Sequence, residues 1–441
     1  MGEAMLYEPS LSFAEEMDRK DPLREFREAF LFPRHEDQDC LYFCGNSLGL
    51  QPRRVGSYLQ EELARWAMLG VEGHFKGDLP WTRFHRALAP ASAHVVGALE
   101  SEVIVMNTLT VNLHLMMVSF YRPKKGRFKI MMEAGAFPSD QYAVESQLRW
   151  HGLDPEGALV EIAPRPGEEC LRDEDILSAI EEHSDSLALV LFGGLNYYTG
   201  QLYDMAAITQ AAHRAGAIAG FDLAHAAGNV PLHLHDWGVD FAVWCTYKYM
   251  NSGPGALSGA FIHERYAFDT EIPRLAGWWG YDEKRRFKME KGFVPNPGAE
   301  GWQLSNAPIL AFAPMRASHE LFLQAGMEAI RQKSVLLTGY LEFLIDDLNE
   351  TGAQLQLITP RNPAQRGAQL SLLTGPEGKQ LFEHLARQGV VCDWREHNLP
   401  TQDAMGSKAG VIRLAPAPLY NSFSDVFELS RIIKNFAPSP V

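Results

Sequence analysis

A single lysine, Lys248, stands in the stretch "WCTYKYMNSGPG" (244–255) between two tyrosines, directly after the apolar run 239–244 and directly before a glycine-rich segment. Lysine is almost never fully buried without a partner, so the ordinary expectation is an ammonium that reaches solvent along its apolar stem. Asp222 closes the preceding apolar run, 26 positions earlier (222 to 248), and Leu-Ala-His225 follows it. Upstream, "NTLTVNLHLM" (107–116) puts hydroxyls and an asparagine at the expected start of a helix, and "EAGAFPSD" (133–140) groups an aromatic, a serine and an aspartate. Taken singly, each has a plain structural explanation. Thr108 or Thr110 is an N-cap, and Asp222 with His225 closes a turn.

Taken together, they match the needs of pyridoxal phosphate. Its aldehyde needs an amine for an imine, its ring nitrogen a carboxylate, and its phosphate a helix start with hydroxyls. Lys248, Asp222, and Thr110 with Tyr247 supply these, and Phe137 offers a face for the ring. Partial burial and nearby positive charge would lower the lysine's pKa and favour exchange of one amine for another.

These residues need elements that bring them to one place. The short apolar runs 102–107, 128–132, 187–194, 217–222, 240–246 and 255–263 alternate with helical segments at 53–70, 85–98 and between most of the runs. Such alternation implies an α/β chain with a mostly parallel central sheet covered by helices on both faces. In that architecture ligands bind beyond the carboxyl ends of the strands, where each candidate falls. Residues 11–31 read as one acidic amphipathic helix and 71–84 as a Gly/Pro-rich loop. Beyond about 310 the texture changes: helices at 309–333, 334–350 and 378–388, with strands at 368–374, 390–394 and 411–418, imply a smaller α+β domain. The expected division is 1–70 as an N-terminal segment associated with the small domain, 71–310 as the large cofactor domain and 311–441 as the small domain.

The chain has 441 residues, 46% hydrophobic and 22% charged, and a length of two or three domains. A net charge of −15 argues against a nucleic-acid partner. The five cysteines (Cys40, Cys44, Cys170, Cys245, Cys392) are scattered, with no pairing that completes a zinc site, and read as reduced thiols of a cytoplasmic protein. The N-terminus lacks a signal-peptide pattern, Met1-Gly2 is followed by Leu6 where myristoylation wants Ser or Thr, and no apolar run approaches a membrane span.

"GNSLGLQP" (45–52), "NTLTVNLHLM" (107–116), "FPSD" (137–140), "YTGQ" (198–201), "GFDLAHAAGNVPLHLHDWGVDFAVWCTYKYMNSGPG" (220–255) and "RLAPAPLYNSF" (413–423) resemble the kynureninase family from about residue 40 to 425. The resemblance implies fold type I of the pyridoxal-phosphate enzymes and a homodimer with active sites at the subunit interface. It implies a hydrolase that cleaves the Cβ–Cγ bond of L-kynurenine or 3-hydroxykynurenine to L-alanine and (3-hydroxy)anthranilate. By matching motif, Lys248 carries the cofactor and Asp222 pairs with its ring nitrogen. Leu109, Thr110, Ser139 and Tyr247 hold the phosphate end, and Phe137, Asp140 and His225 the ring. Trp278 and Asn306 match residues that reach in from the partner subunit. Arg413 matches the clamp on the substrate α-carboxylate, for which its planar fork is suited. Ser47, His74 and Asn306 match positions near the aryl ring.

Some assignments stay open. Tyr247 either exchanges a proton at the substrate carbonyl or only binds phosphate. His225, Asn306 and Ser47 are all candidates to stabilise the hydrated carbonyl. Gly193 stands where some relatives carry a serine, leaving one cofactor hydrogen bond unassigned. The alternate histidines of "LHLHDW" (232–237) suggest a metal, but no third ligand shows in sequence and the expectation is none. A cysteine desulfurase or selenocysteine lyase is the rival within the fold, with Cys392 as the one cysteine placed near a mobile nucleophile's position. A non-catalytic cofactor-binding relative is the other, and it would lack the lysine, aspartate or arginine. Preference between the two kynurenines, a catabolic or biosynthetic role, and the open or closed state of the small domain are not legible.

Overall fold

The computed structural model describes residues 6–396 and 410–437, so Met1 and Gly2 lie outside the described residues. Seven strands form the central sheet: β1 (Val103–Met106), β2 (Lys129–Glu133), β3 (Leu159–Ile162), β4 (Leu187–Gly193), β5 (Ile218–Asp222), β6 (Phe241–Cys245) and β7 (Ser258–Ile262), in the order β1-β7-β6-β5-β4-β2-β3. All pairings are parallel except those of β7, which runs antiparallel to both β6 and β1. The period of two sends alternate side chains to opposite faces. Val190, Phe192, Phe221 and Trp244 join one core cluster, while Leu189, Leu191, Phe241 and Val243 join the other. Both faces are therefore dry, which accounts for the continuous apolar runs.

β8 (Leu355–Leu357), β9 (Leu370–Thr374), β10 (Asp393–Glu396) and β11 (Gly410–Leu414) form a separate antiparallel sheet in the order β8-β9-β11-β10. Of the main helices, α1 (Leu11–Lys20) and α2 (Val55–Leu69) belong to the N-terminal segment. α3 (Leu109–Phe120) and α4 (Pro138–Trp150) follow β1 and β2, and α5 (Ile309–Ala325), α6 (Met327–Glu350) and α7 (Phe423–Lys434) lie toward the C-terminus. Ala14 and Met17 of α1 pack with Leu337, Leu344 and Val426 over the small sheet. A buried ion pair of Lys333 with Asp21, at 2.6 Å, ties the same segment to α6. α2 instead packs on α5 through Val55, Tyr58, Ala313 and Ala317.

Several elements differ from the sequence expectation. The helix expected over 11–31 stops at Lys20, because Asp21 turns extended and commits its carboxylate to Leu23 N–H and Lys333. A 3₁₀ turn (Arg24–Ala29) and a short strand follow. The break between the two long helices falls at Gly326, whose φ of 74° ends α5, rather than near 333. The run 390–394 is two strands: Val390–Val391 pairs with Leu41–Tyr42, and β10 pairs with β11. Residues 81–88 form a 3₁₀ helix before an α-helix over Ala89–Val96. β3 was not anticipated, since an edge strand with Glu161 exposed shows little apolar patterning.

Candidate active site

β1, β2, β5 and β6 end on the same side of the sheet, and their following residues line one cavity of about 160 Å³. It is lined by Leu109, Thr110, Phe137, Ser139, Asp140, Asp222, His225, Tyr247 and Lys248, with Glu133, Gly193, Leu195, Tyr197 and Ala224. The residues singled out from four separate motifs thus meet.

At one end, two helix N-termini converge. Thr108 is the N-cap of α3, yet its side chain makes no capping bond, and Phe137 at the cap of α4 makes none either. Thr110 Oγ1 and Ser139 Oγ, on the first turns of the two helices, lie 2.8 Å apart. Uncapped N–H groups, two helix starts and two hydroxyls make an anion site, each helix dipole contributing about 0.3–1 kcal/mol toward a bound charge. The plain N-cap explanation of Thr108 does not hold. Asn107, between β1 and α3, takes a left-handed φ of 49° that asparagine tolerates, which lets the chain turn sharply into the helix.

Asp222, at the end of β5, is 6% exposed and accepts the Ala224 N–H at 2.7 Å. Asp140 lies against it: burial first, then the charge and hydrogen bond of Asp222, push the Asp140 carboxyl well up, so the pair shares a proton. Glu133, the last residue of β2, joins them. It accepts the Gly193 N–H at 3.0 Å, and burial raises its pKa to about 8. With Glu133 protonated and one proton between Asp140 and Asp222, a single negative charge remains beside Lys248, the acceptor that a protonated ring nitrogen needs. Glu133 escaped the sequence reading because it looked like the end of a strand in "EAGAFPSD". Its neighbour gives the missing signal: a Cβ on Gly193 would lie 2.9 Å from Glu133 Oε1, so a serine there would displace the carboxylate.

Lys248 Nζ lies 2.9 Å from His225 Nε2 and 5.7 Å from the centre of the Phe137 ring. Burial, then the Lys248 charge, hold the imidazole well below its ordinary pKa, so it is neutral. Tyr247 is pushed up by burial and stays a protonated phenol. The loop carrying the lysine is braced by "GNSLGL": Gly49 N–H bonds Tyr247 O at 2.8 Å, and a Cβ at Gly49 would lie 2.3 Å from Lys248 O. Asn251, at φ 58°, turns the chain away behind it.

Arg413, on β11, is 1% exposed and lies behind the cavity wall, where its Nη1 donates to the backbone oxygen of the lining residue Tyr197 at 2.6 Å. Ser47 lies in the bracing loop, its N–H bonded to Cys44 O at 3.0 Å. Neither Ser47 nor Arg413 lines the cavity itself, and three further expected residues lie away from it. His74 sits edge-on against Trp81, Trp278 is 43% exposed with its Nε1–H on Arg286 O, and Asn306 is exposed.

"LHLHDW" is not a strand: Leu234–Trp237 forms one helical turn. His235 meets Glu102 and His263, with candidate ligand atoms all within 4.8 Å, while His233 packs on Trp237 and takes no part in that group. Glu102 is already committed to the backbone, accepting Leu99 N–H at 2.9 Å and Glu264 N–H at 2.8 Å. Cys392 is held strongly protonated by burial, unlike a nucleophilic thiol.

Solved cysteine desulfurases share this architecture. The enzyme from Thermococcus onnurineus aligns with a TM-score of 0.72 at 19% identity, covering 95% of this chain and 97% of its own. CsdA from Escherichia coli gives 0.73 at 16%, covering 93% and 97%. The chain has fold type I of the pyridoxal-phosphate enzymes. Residues 330–433 match the family described as the kynureninase C-terminal domain. The kynureninase of Myxococcus xanthus is 56% identical over 98% of both chains, and that of Flavobacterium psychrophilum 52% over 98% of this chain and 99% of its own. The chain belongs to the kynureninase family.

Proposed function

We propose that the protein is a pyridoxal-phosphate-dependent kynureninase, hydrolysing L-kynurenine, 3-hydroxy-L-kynurenine or both to (3-hydroxy)anthranilate and L-alanine in tryptophan degradation or NAD biosynthesis. The observation that carries it is the meeting of Lys248, the carboxyls at Asp222, and the paired helix starts at Thr110 and Ser139 in one cavity. These residues fit the cofactor: an amine for its aldehyde, a buried carboxylate for its ring nitrogen and uncapped N–H groups for its phosphate. Bound there, pyridoxal phosphate supplies the electron sink that lets bonds at the substrate α- and β-carbons break.

Lys248 would hold the cofactor at its aldehyde and, as a free amine, would move the proton at the substrate α-carbon. Arg413 binds the α-carboxylate. Water adds to the γ-carbonyl, and Tyr247, protonated and beside Lys248, gives and takes the proton at that oxygen as the Cβ–Cγ bond cleaves. Neutral His225 keeps an acceptor toward Lys248, which orients the amine without taking its proton.

The working unit in this proposal is a cytoplasmic homodimer with the domain division 1–70, 71–310 and 311–441. Among the described residues, no helix is long and apolar enough to cross a membrane. Support for the dimer comes from one exposed aromatic patch. Phe75, beside His74, lies 6.3 Å from Phe287, which lies 5.5 Å from Trp278. The Trp278 segment packs directly on Leu304, two positions before Asn306. The three residues lying away from the cavity thus share a surface from which they would reach a partner's site.

Incubation with cofactor and L-kynurenine, followed by anthranilate fluorescence, tests the activity, and 3-hydroxykynurenine run in parallel reads the preference. Turnover of neither would sink the assignment.

A further inference from the structure

Arg413 does not meet the site alone. Asp393 stands directly opposite it across β10 and β11, and Asp393 Oδ2 accepts from both Nε, at 2.6 Å, and Nη2 of the guanidinium. Nη1 donates to Tyr197 O at 2.6 Å. The same Asp393 oxygen also accepts from Arg395 Nε at 3.1 Å. Among the described residues, three of the five guanidinium N–H groups are thereby committed, and one on each terminal nitrogen remains for a carboxylate.

Two roles for Asp393 are compatible with contact alone. Its carboxylate either occupies the place of the substrate's and must be displaced, or it fixes the arginine from behind. Three observations decide. Asp393 uses the Nε edge rather than the free end of the fork. Its place opposite Arg413 is set by sheet register, and Arg395 holds the same carboxylate. Finally, two arginines against one aspartate leave a net charge of +1 beside a buried guanidinium, which one further carboxylate neutralises.

We propose that Asp393 is a positioning residue for the substrate-carboxylate site: with Tyr197 O it locks the Arg413 guanidinium so that two N–H groups present to an α-carboxylate, and it trims the Arg395–Arg413 pair to a single positive charge. The proposal rests on the assignment of Arg413 to the substrate carboxylate made above. Arg395 borders the open cleft of about 750 Å³ that adjoins the cavity at Phe137 and Tyr197, so the same carboxylate joins the buried arginine to one on the approach side.

The test is steady-state kinetics of the cofactor-loaded enzyme. Asp393→Asn should raise the KM for L-kynurenine roughly ten- to hundredfold, as loss of ångström-scale positioning does, with kcat and cofactor absorbance held. Turnover of L-kynurenine carboxamide, which lacks the carboxylate, should not change between variant and parent. An unchanged or lowered KM overturns the proposal, the latter because Asp393 would then be a competitor for the arginine. A loss confined to kcat also overturns it. If Asp393→Asn does not accumulate as folded protein, Asp393→Glu serves: its carboxylate sits one methylene further out and should raise KM with kcat held, and an unchanged KM again overturns the role. Arg413→Lys measured alongside separates the two levels. If that variant leaves KM unchanged, the carboxylate assignment itself fails; if it raises KM while Asp393→Asn does not, only the role of Asp393 fails.

Discussion

The amine of Lys248 and Nε2 of His225 are 2.9 Å apart, with the imidazole held neutral by burial and by the lysine's own charge. A neutral ring accepts from the ammonium without competing for its proton, so the lysine is oriented but remains free to react. Lys248→Ala should lower turnover by roughly 10³-fold or more and abolish the near-visible absorbance of the lysine-bound cofactor, with circular dichroism unchanged. Parental activity in this variant would remove the lysine from the chemistry.

Arg413→Lys keeps the charge and loses the fork. Loss of hydrogen bonds to a charged group, about 1.5–3 kcal/mol, should appear as a fall of roughly ten- to hundredfold in kcat/KM, with cofactor occupancy unaffected. If cofactor absorbance falls as well, Arg413 serves the cofactor rather than the substrate.

Glu133 links the site to pH. Its folded pKa, about 8, lies above the ordinary carboxyl value of 4.5, so between those values the folded protein binds a proton that the unfolded chain has released. Stability conferred by that proton is complete below about pH 4.5 and is lost as pH rises through about 8. In cofactor-free protein, the melting temperature of wild type should therefore fall from pH 6 to 9 more steeply than that of Glu133→Gln, which keeps an acceptor for Gly193 N–H. Parallel curves would show that Glu133 is not protonated in the folded state.

Gly49 tests the brace behind the lysine. A methyl there meets Asn251 Oδ1 at 2.2 Å and Lys248 O at 2.3 Å, so Gly49→Ala should destabilise by about 1–3 kcal/mol and weaken cofactor retention. Gly56→Ala is the control. It lies inside α2 with nothing within 4 Å of the added carbon, and should be neutral or stabilise by about 0.5–1 kcal/mol. Equal effects of the two substitutions on cofactor retention would dismiss the brace.

Much of this was legible in sequence because apolar runs end where chemistry begins. Asp222 and Lys248 are the last polar punctuation of β5 and just past β6, so pattern alone placed them side by side. Glu133 occupies the equivalent place on β2 and was overlooked, because its value depends on Asp140 and Gly193, which meet it only in three dimensions. The metal-capable trio of Glu102, His235 and His263 was invisible for the same reason, its members coming from three separate parts of the chain. Helix ends were misjudged where a single side chain decides them, as Asp21 does by turning to Lys333 instead of continuing the helix. The partnership of Asp393 and Arg413 depends on strand register, which a period of two does not reveal when the pairing partner is unknown.

The twin helix starts at Thr110 and Ser139 have a practical consequence at the bench. A cradle built for a phosphoryl group does not distinguish one that is esterified to a vitamin from one that is free. Inorganic phosphate in a storage buffer would therefore occupy the same seat in cofactor-stripped protein, and reconstitution should run faster in an amine buffer than in a phosphate one.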